Sequence, residues 1–432
     1  MKFKRILLGA LVLGLAVLIA PMTSAMERSD CVSAGLHVLA AQTEMVKAGL
    51  VNNDIVFEAE DFERNLNVSS LTSVTVTSLP SRADGVLYLG NGEVSVGQTI
   101  SRENLGYLNF VFAGEEIRDS RFCFTSNLGE YEISCKMCLL EKPNSAPIVS
   151  SDTKSSVSVG TYRDIAVYGE LEAVDAEGDD FVFEIVSYPG HGTLTLEDAS
   201  VGSYRYLPES GYSGTDSFRF VAVDRYGNYS AAAEVALSVG VQKNYLIYTD
   251  MKDSASHAPA IAMTERGIMS ASVIGDNTYF YPDKTVSRLD FLVAAMKSIG
   301  YDEVEDCSVT VFDDDSEISD GLRGYVRLAR QKGYVSGRID GEGRLVFSPD
   351  DTITRAEAAV ILSRMLGRSS SGVRQVFADA NEVPAWARDS IDVLASYGII
   401  DTNNGYVDAD GALTRGQTAY MLYKLSEVKG ES

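Results

Sequence analysis

Three arginines occupy the same position in a pattern that recurs near the C-terminal end of the chain. In each copy a Ser or Thr precedes the arginine, and an Asp, Glu or Gln follows it by two positions. This is the spacing of a helix N-terminus with reciprocal side-chain caps. The arginines are Arg288, Arg355 and Arg415, and the cap pairs are Ser287 with Asp290, Thr354 with Glu357, and Thr414 with Gln417. Each arginine is therefore predicted to be the first residue of a helix.

An arginine at a helix start needs a compensating interaction. The N-terminus of a helix carries partial positive charge, so a cation there is unfavourable by about 0.3–1 kcal/mol. One compensation is an anionic ligand bound by the guanidinium group together with the free backbone N–H groups of the helix end. The other is an ion pair between each arginine and an Asp or Glu of the neighbouring repeat. The residues alone leave both interpretations open.

A second group of candidate ligands lies in the stretch "DAEGDD". Asp175, Glu177 and Asp179 place acidic side chains at alternate positions around a glycine turn, and Asp224 follows in "VDRYGN". Oxygen ligands at this density suit Ca²⁺. A solvated acidic turn is the alternative interpretation. The sequence therefore predicts either calcium at this place or no cofactor.

The cysteines predict a structural disulfide. Cys135 and Cys138 form a C-x-x-C, but no thioredoxin-like βαβ pattern surrounds them. In an exported chain a disulfide is favoured over redox activity or zinc binding. Cys123 and Cys135 flank Leu128-Gly129 as if on paired hairpin strands, which predicts a bridge between them. The chain has five cysteines, so one thiol is left over.

The residue pattern does not indicate an enzyme. The three histidines, His37, His191 and His257, are far apart in the sequence and lack metal-ligand spacing. Neither a nucleophile elbow nor a phosphate-binding loop is present. The many carboxylates leave paired acids for glycoside hydrolysis open. A wall-modifying activity in residues 27–145 is therefore kept as the less favoured alternative.

Charge and the first residues indicate an exported protein. The chain has 432 residues and a net charge of −24, which excludes nucleic acid and anionic lipid as partners. Residues 1–25 read as a signal peptide, with Lys2, Lys4 and Arg5 before an apolar run and small residues at Thr23-Ser24-Ala25. A retained single-span anchor is the alternative. After signal cleavage no membrane span is expected.

The elements that carry these residues fall into two parts. Residues 26–51 are predicted to form an N-terminal helical segment, and 52–142 and 143–240 to form two all-β sandwiches. An internal repeat supports the two sandwiches, since "VTSLPSRADGVLYL" matches "IVSYPGHGTLTL" and "DSRFCF" matches "DSFRFV". Residues 245–301, 308–367 and 373–428, here named units 1, 2 and 3, each read as helix, extended turn and capped helix. None of these units can bury its apolar faces alone, so they should pack together.

The second sandwich resembles bacterial cadherin-like and Ig-like modules, and the first resembles a divergent relative. Units 1–3 resemble S-layer homology modules, whose mark is F-x-P-D-x-x-[ST]-R-A-E. Unit 2 matches this motif throughout at Phe347, Pro349, Asp350, Thr354, Arg355, Ala356 and Glu357. Unit 1 departs from it at Leu289-Asp290, and unit 3 at Val407, Ala409, Gly416 and Gln417.

The resemblance implies an all-α pseudo-threefold bundle with ligand grooves between neighbouring modules. It implies that Arg288, Arg355 and Arg415 bind anionic, pyruvylated secondary cell wall polysaccharide. The tryptophan that usually opens the family's first helix is found here only as Trp386, which is either a sugar-stacking residue or a packing residue. Gly416 should loosen the last capped helix slightly.

These expectations combine into a non-enzymatic protein of a Gram-positive-type cell envelope, in the S-layer or associated with it. Its β-sandwiches would be displayed outward from the wall as spacer, lattice or adhesive elements, with other surface proteins or further copies of itself as additional partners. The main alternative is a calcium-dependent surface adhesin whose sandwiches bind carbohydrate or protein.

Overall fold

The described part of the chain contains three hydrophobic cores. The computed structural model describes residues 44–430 except for 51–52, 67, 69–70, 114–118, 150–156, 245, 369–376 and 401–404. The predicted signal peptide lies outside the described residues. Two of the cores belong to β domains, and the third is shared by all three helical units. Within the described residues, no helix combines the length and the apolar character that crossing a bilayer requires.

The first β domain has two sheets around one core. Its elements are β1 (Glu44–Leu50), β2 (Ile55–Val56), α1 (Ala59–Leu66), β3 (Ser73–Ser78), β4 (Gly85–Leu89), β5 (Gly92–Glu93), β6 (Thr99–Ser101), β7 (Leu108–Phe112), β8 (Ser120–Ser126) and β9 (Gly129–Leu140). One sheet has the order β1-β9-β8-β3-β6, and the other has the order β2-β7-β4-β5. Phe57, Phe62 and Phe122 pack ring to ring between them.

The prediction of a helix up to residue 51 is wrong for the part that is described. Residues Glu44–Leu50 form β1, which pairs in parallel with β9 from Glu44↔Ser134 to Leu50↔Leu140. The loosely helical spacing is overridden because β9 offers a complete row of backbone partners, and Met45 is thereby buried in the core. Residues 26–43 lie outside the described part of the chain.

The second β domain repeats the connectivity of the first. Its strands are β10 (Ile148–Val149), β11 (Val157–Tyr162), β12 (Val167–Glu170), β13 (Ala173–Val174), β14 (Phe181–Ser187), β15 (Gly192–Asp198), β16 (Ser203–Pro208), β17 (Gly214–Asp224) and β18 (Ala233–Gly240). The order β11-β18-β17-β14 matches β1-β9-β8-β3, and β12-β16-β15 matches β2-β7-β4. β1 lies parallel to β9 in the first domain, and β11 lies parallel to β18 in the second, where β10 and β13 form an additional two-stranded sheet.

A shared irregularity supports the repeat seen in the sequence. The pairing register shifts between Val76 and Ser78 in β3 and between Ile185 and Ser187 in β14. These are aligned residues of the two sequence repeats. The bulge bends each chain just before it crosses to the opposite sheet at β4 or β15.

The predicted disulfide between Cys123 and Cys135 is wrong. In the β8–β9 pair Cys123 lies opposite Ser134, whereas Cys135 lies opposite Phe122. The two cysteines are thus one register position apart and point to opposite faces of the sheet. Cys123, Cys135, Cys138 and Cys307 are all free thiols. Burial raises the pKa of the Cys138 thiol to about 11, which keeps it protonated and unreactive.

The C-terminal region is mainly helical but not entirely α. Its elements are α2 (His257–Glu265), β19 (Ser272–Ile274), β20 (Asn277–Tyr279), α3 (Arg288–Ser298), α4 (Arg323–Gln331), β21 (Arg338–Ile339), β22 (Leu345–Val346), α5 (Arg355–Leu366), α6 (Arg388–Ser396) and α7 (Arg415–Gly430). The strands form two short hairpins in units 1 and 2, between the two helices of each unit. Ile165 of the second β domain joins the core that these helices share.

The three units are joined by a closed set of backbone hydrogen bonds. The N–H of Val286 donates to the carbonyl of Leu413 at 3.0 Å, Leu413 donates to Ile353 at 2.9 Å, and Ile353 donates to Val286 at 3.1 Å. Each of these buried residues stands just before the Ser or Thr cap of its unit. Every unit therefore donates to one neighbour and accepts from the other.

Candidate functional site

The capped helix starts are where the sequence places them. Helices α3, α5 and α7 begin at Arg288, Arg355 and Arg415. At Thr354 the capping box is complete, because Thr354 Oγ1 accepts from the Glu357 N–H and Glu357 Oε2 accepts from the Thr354 N–H. The Thr414–Gln417 pair makes the same two bonds, and Ser287 Oγ accepts from the Asp290 N–H.

The backbone N–H groups of these helix ends are not free for a ligand. The N–H groups of Arg288, Arg355 and Arg415 donate to neighbouring-unit carbonyls at 2.8, 3.0 and 2.8 Å, on Asp351, Gly411 and Lys284 respectively. The next N–H in each helix donates to the carbonyl of Pro349, Ala409 or Pro282. With the third N–H taken by the cap, this part of the predicted anion site is wrong. An anion would have to be bound by side chains.

All three guanidinium groups contact the neighbouring unit. Arg288 lies over the Phe347 ring and pairs with Glu357 at 3.2 Å. Arg355 Nε donates to the Val407 carbonyl at 2.6 Å. These contacts support in part the alternative in which the arginines hold neighbouring units together, and at Arg288 the partner is an acidic side chain of the neighbouring unit.

The third guanidinium makes a related set of contacts. Arg415 lies 4.7 Å over the Phe280 ring, and it donates to the carbonyls of Phe280 and Ser270 at 2.9 and 2.5 Å. Burial lowers the pKa of Arg415 and also that of Arg288, with nearby carboxylates acting in the opposite direction. An arginine pKa is so high that both groups stay charged.

A repeated aspartate, not singled out from the sequence, fixes the backbone of each site. Asp250, Asp314 and Asp379 each accept hydrogen bonds from two successive N–H groups of their own unit's motif turn. The second residue of each turn is a non-glycine with a positive φ, at Tyr281, Ser348 and Asp408. The signal was available, because each aspartate ends an aromatic-x-Asp triplet: Tyr248-Thr249-Asp250, Phe312-Asp313-Asp314 and Phe377-Ala378-Asp379.

Two residues singled out in unit 3 have distinct surroundings. Trp386 lies in the turn before α6 and is 60% exposed, so stacking on a sugar stays a prediction. Gly416 packs closely against unit 1, since a Cβ there would lie 3.2 Å from Pro282 Cβ.

The predicted calcium ligands act as acceptors within turns. Asp175 Oδ1 accepts from the N–H groups of Glu177 and Asp179. Asp224 accepts from the N–H groups of Tyr226 and Asn228. Burial and the nearby carboxylates raise the pKa of Asp179. Among the described residues, no group of three or more His, Cys, Asp or Glu side chains could hold a metal ion.

Comparison with known families identifies two of the three helical units and one of the β domains. Residues 311–359 and 376–419 match the S-layer homology domain, and residues 144–237 match a bacterial Ig domain. This is a protein with S-layer homology domains. The two S-layer homology matches lie in units 2 and 3, and the Ig match lies in the second β domain, which is called the Ig domain below. Such domains generally bind cell wall polysaccharide, which places this protein at the cell surface and cell wall.

Curated relatives share these modules only. This chain is 27% identical to "Exoglucanase XynX" of Acetivibrio thermocellus over 195 residues, which are 44% of this chain and 17% of that protein. The "Surface-layer 125 kDa protein" of Lysinibacillus sphaericus is 27% identical over 137 residues, which are 31% of this chain and 11% of that protein. The chain therefore spans less than a fifth of either relative.

Solved structures add little. Drosophila N-cadherin EC1-3 is 13% identical over 46% of this chain and 63% of that chain, with a TM-score of 0.21. That score is too low to support an inference.

Proposed function

We propose that this chain is a non-enzymatic cell-envelope protein in or beside the S-layer, anchored through units 1–3 to an anionic, pyruvylated secondary cell wall polysaccharide. The two β domains would form sandwiches displayed outward from the wall. The observation that carries the proposal is the recurrence of Arg288, Arg355 and Arg415 at equivalent junctions of a chain whose net charge is −24. In such an acidic background, three fixed cations favour an anionic polymer locally.

We further propose that units 1–3 form a closed pseudo-threefold bundle. The cyclic hydrogen bonds of Val286, Ile353 and Leu413 support this arrangement, because each unit uses the same position to contact the next. Such a bundle places the three arginines at three related grooves.

The anchoring proposal is tested by sedimenting the protein with purified cell walls. Walls stripped of pyruvylated polymer, or a triple Arg→Ala variant at 288, 355 and 415, should lose most of the binding. The matched control removes three exposed arginines elsewhere, Arg82, Arg121 and Arg344, with the same change in net charge. Equal binding by the site variant and the control variant, with both still folded, would overturn the proposal.

The absence of enzymatic activity is also part of the proposal. The exoglucanase relative is matched over 17% of its length, which leaves most of that protein without a counterpart here. The described part of residues 27–145 encloses a core of packed apolar side chains. A screen of the full chain for sugar release from cell walls is expected to be negative, and reproducible release would contradict this part.

Ligand binding by the β domains is a second candidate function. A cleft of about 460 Å³ lies between them, with Arg64 of α1 on one side and Glu184 and Tyr229 on the other. Clefts of this size at domain boundaries are common ligand sites. Calorimetry with soluble wall saccharides should give binding heat that Arg64→Ala removes, and silence would count against it. A titration with Ca²⁺ tests the calcium-dependent form of this function. That form also requires that Ca²⁺ raise the melting temperature of the protein.

A further inference from the structure

The three junctions between units differ in how deeply the arginine is buried. At the unit 1–2 junction, Arg288 is 7% exposed and is paired with Glu357. At the unit 2–3 junction, Arg355 is 5% exposed. Both groups are held almost entirely inside the protein, so a polymer at the surface can reach little of either guanidinium.

The unit 3–1 junction holds its arginine differently. Arg415 is only half-buried, and the described hydrogen bonds of its guanidinium go to the carbonyls of Phe280 and Ser270. Burial lowers the pKa of Arg415, and the carboxylates of Asp250 and Asp290 are near enough to act in the opposite direction, but neither lies within 4.0 Å of its guanidinium, so neither forms an ion pair with it. Carbonyl oxygens orient a guanidinium without neutralising its charge, so this cation stays available to an incoming carboxylate.

A pair of tyrosines lies beside the same arginine. The rings of Tyr279 and Tyr281 stack with centroids 5.8 Å apart and planes 16° from parallel, and Tyr281 is 42% exposed. They flank Phe280, whose carbonyl accepts from Arg415. Tyr279 pairs with Ser272 in the β19–β20 hairpin, two residues beyond the Ser270 carbonyl that also accepts from Arg415. The guanidinium and the aromatic pair are therefore attached to the same two backbone segments.

This aromatic pair is held rigidly and belongs to unit 1 alone. Tyr281 has a φ of 57°, and its N–H donates to Asp250 Oδ2 at 2.7 Å. The equivalent positions are Val346 and Ser348 in unit 2, and Tyr406 and Asp408 in unit 3. A preordered aromatic face loses little entropy on binding and offers an apolar surface with a polar tip to a sugar ring.

We infer that the unit 3–1 junction is the principal saccharide-binding groove, in which a sugar ring stacks on Tyr281 while a carboxylate on the same or the adjacent sugar pairs with Arg415. Tyr279 supports Tyr281 from behind as a positioning residue. The inference rests on the proposed function, because it assigns the polysaccharide to one of three related grooves. It predicts that Arg415 contributes more to the affinity for the polysaccharide than Arg288 or Arg355 does, although all three occupy the same position of the sequence motif.

The test measures the affinity of the full chain for purified cell walls by sedimentation. Tyr281→Ala and Arg415→Lys should each weaken binding at least tenfold, and Tyr279→Ala should weaken it by a smaller factor. Arg288→Lys and Arg355→Lys should weaken it less than Arg415→Lys does. The matched aromatic controls are Tyr406→Ala in unit 3 and Tyr131→Ala in the first β domain, both exposed, which should stay within twofold of the unaltered chain.

The outcomes separate this inference from the anchoring proposal. If Tyr281→Ala binds normally, or if Arg415→Lys loses no more affinity than Arg288→Lys, the groove assignment is wrong while wall anchoring stands. If the triple arginine variant still binds walls, both fail. Should Arg415→Lys not fold, the exposed Tyr281 variant still decides the matter, and thermal melting of each variant checks its fold.

Discussion

The β half and the helical half of this protein are both built from repeats, but only the β repeats are complete by themselves. Each β domain packs its own sheets around its own core. The three helical units instead share one core, and their helix starts donate to carbonyls of the next unit. A repeat is autonomous when its backbone and apolar surface are satisfied internally, and it is obligatory when a neighbour satisfies them.

This contrast is sharpest when a whole repeat is removed. A chain ending at residue 368 lacks unit 3, so Val286 loses its acceptor, Ile353 loses its donor, and the shared core is opened. We expect units 1 and 2 to lose their cooperative fold, seen as loss of helical circular dichroism and of a thermal transition. A chain beginning at residue 143 lacks the first β domain, and its helical signal and transition should remain. A cooperative helical transition in the chain ending at 368 would contradict the contrast.

Single core truncations should show the same difference on a smaller scale. Phe347 is fully buried and packs against Phe312 with ring centroids 5.7 Å apart, whereas Phe183 packs against Phe220 in the Ig domain at 5.9 Å. Truncation of either to Ala should reduce the free energy of unfolding by about 3–5 kcal/mol. Amide hydrogen exchange should report loosening of all three units for Phe347→Ala, and of the Ig domain for Phe183→Ala. If Phe347→Ala loosened unit 2 alone, the expectation that the three helical units share one cooperative core would be contradicted.

Local features of this fold could be predicted from the sequence, and tertiary ones could not. The helix starts at Arg288, Arg355 and Arg415 were predictable because a cap involves residues three positions apart. The first two N–H groups of each of these helices donate to carbonyls of a neighbouring unit. Those bonds depend on how the three units pack together, and the local sequence pattern does not contain that information.

The errors have the same origin. A bridge between Cys123 and Cys135 was plausible from their spacing, but the hairpin register places them on opposite faces. The local spacing of β1 favours a helix, but its partner β9, which makes it a strand, lies about 90 residues away in the chain. The aspartate that fixes each motif turn was missed although its aromatic-x-Asp triplet recurs, since its partners are about 30 residues further on.

Asp379 offers a test of intermediate size. Burial acts to raise its pKa, but the N–H groups of Val407 and Asp408, and the nearby Arg355 guanidinium, outweigh burial and lower the pKa. A carboxylate with a lower pKa in the folded state stabilises the fold above its unfolded pKa of about 3.9. That stabilisation is lost as the pH falls through the folded-state value.

Asp379→Ala should therefore cost about 1.5–3 kcal/mol at neutral pH, the usual range for hydrogen bonds to a charged group. Denaturant unfolding between pH 2 and pH 6 should show that the deficit of Asp379→Asn shrinks toward the acid end. The matched control is Asp320→Asn, which alters an aspartate whose side chain is 93% exposed, and its effect should be small throughout. A deficit for Asp379→Asn that stays constant down to pH 2 would contradict this role.

The smallest expected effects come from the residues that precede a helix in each half of the protein, Thr354 and Ser101. Thr354→Ala removes the Oγ1 acceptor of the Glu357 N–H but keeps the backbone N–H that donates to Glu357, and it should reduce the free energy of unfolding by about 0.5–2 kcal/mol. Ser101 precedes a 3₁₀ turn in the first β domain and caps none of its N–H groups, and its hydroxyl accepts from the exposed Asn104 side chain, so Ser101→Ala should stay within about 0.5 kcal/mol of zero. Denaturant unfolding measures both, and equal effects would contradict the difference.

The Thr354 cap also bears on the junction between units 1 and 2, because Glu357 contacts Arg288 and Arg338 as well as the Thr354 backbone. Its carboxylate accepts from the Thr354 N–H at 3.2 Å and pairs with Arg288 at 3.2 Å. Losing Thr354 Oγ1 should loosen the first turn that positions Glu357, so Thr354→Ala and Arg288→Lys should be non-additive in a double-mutant cycle. Additive effects would show that the cap and the junction are independent, and a helix start could then be altered without disturbing the contact between units.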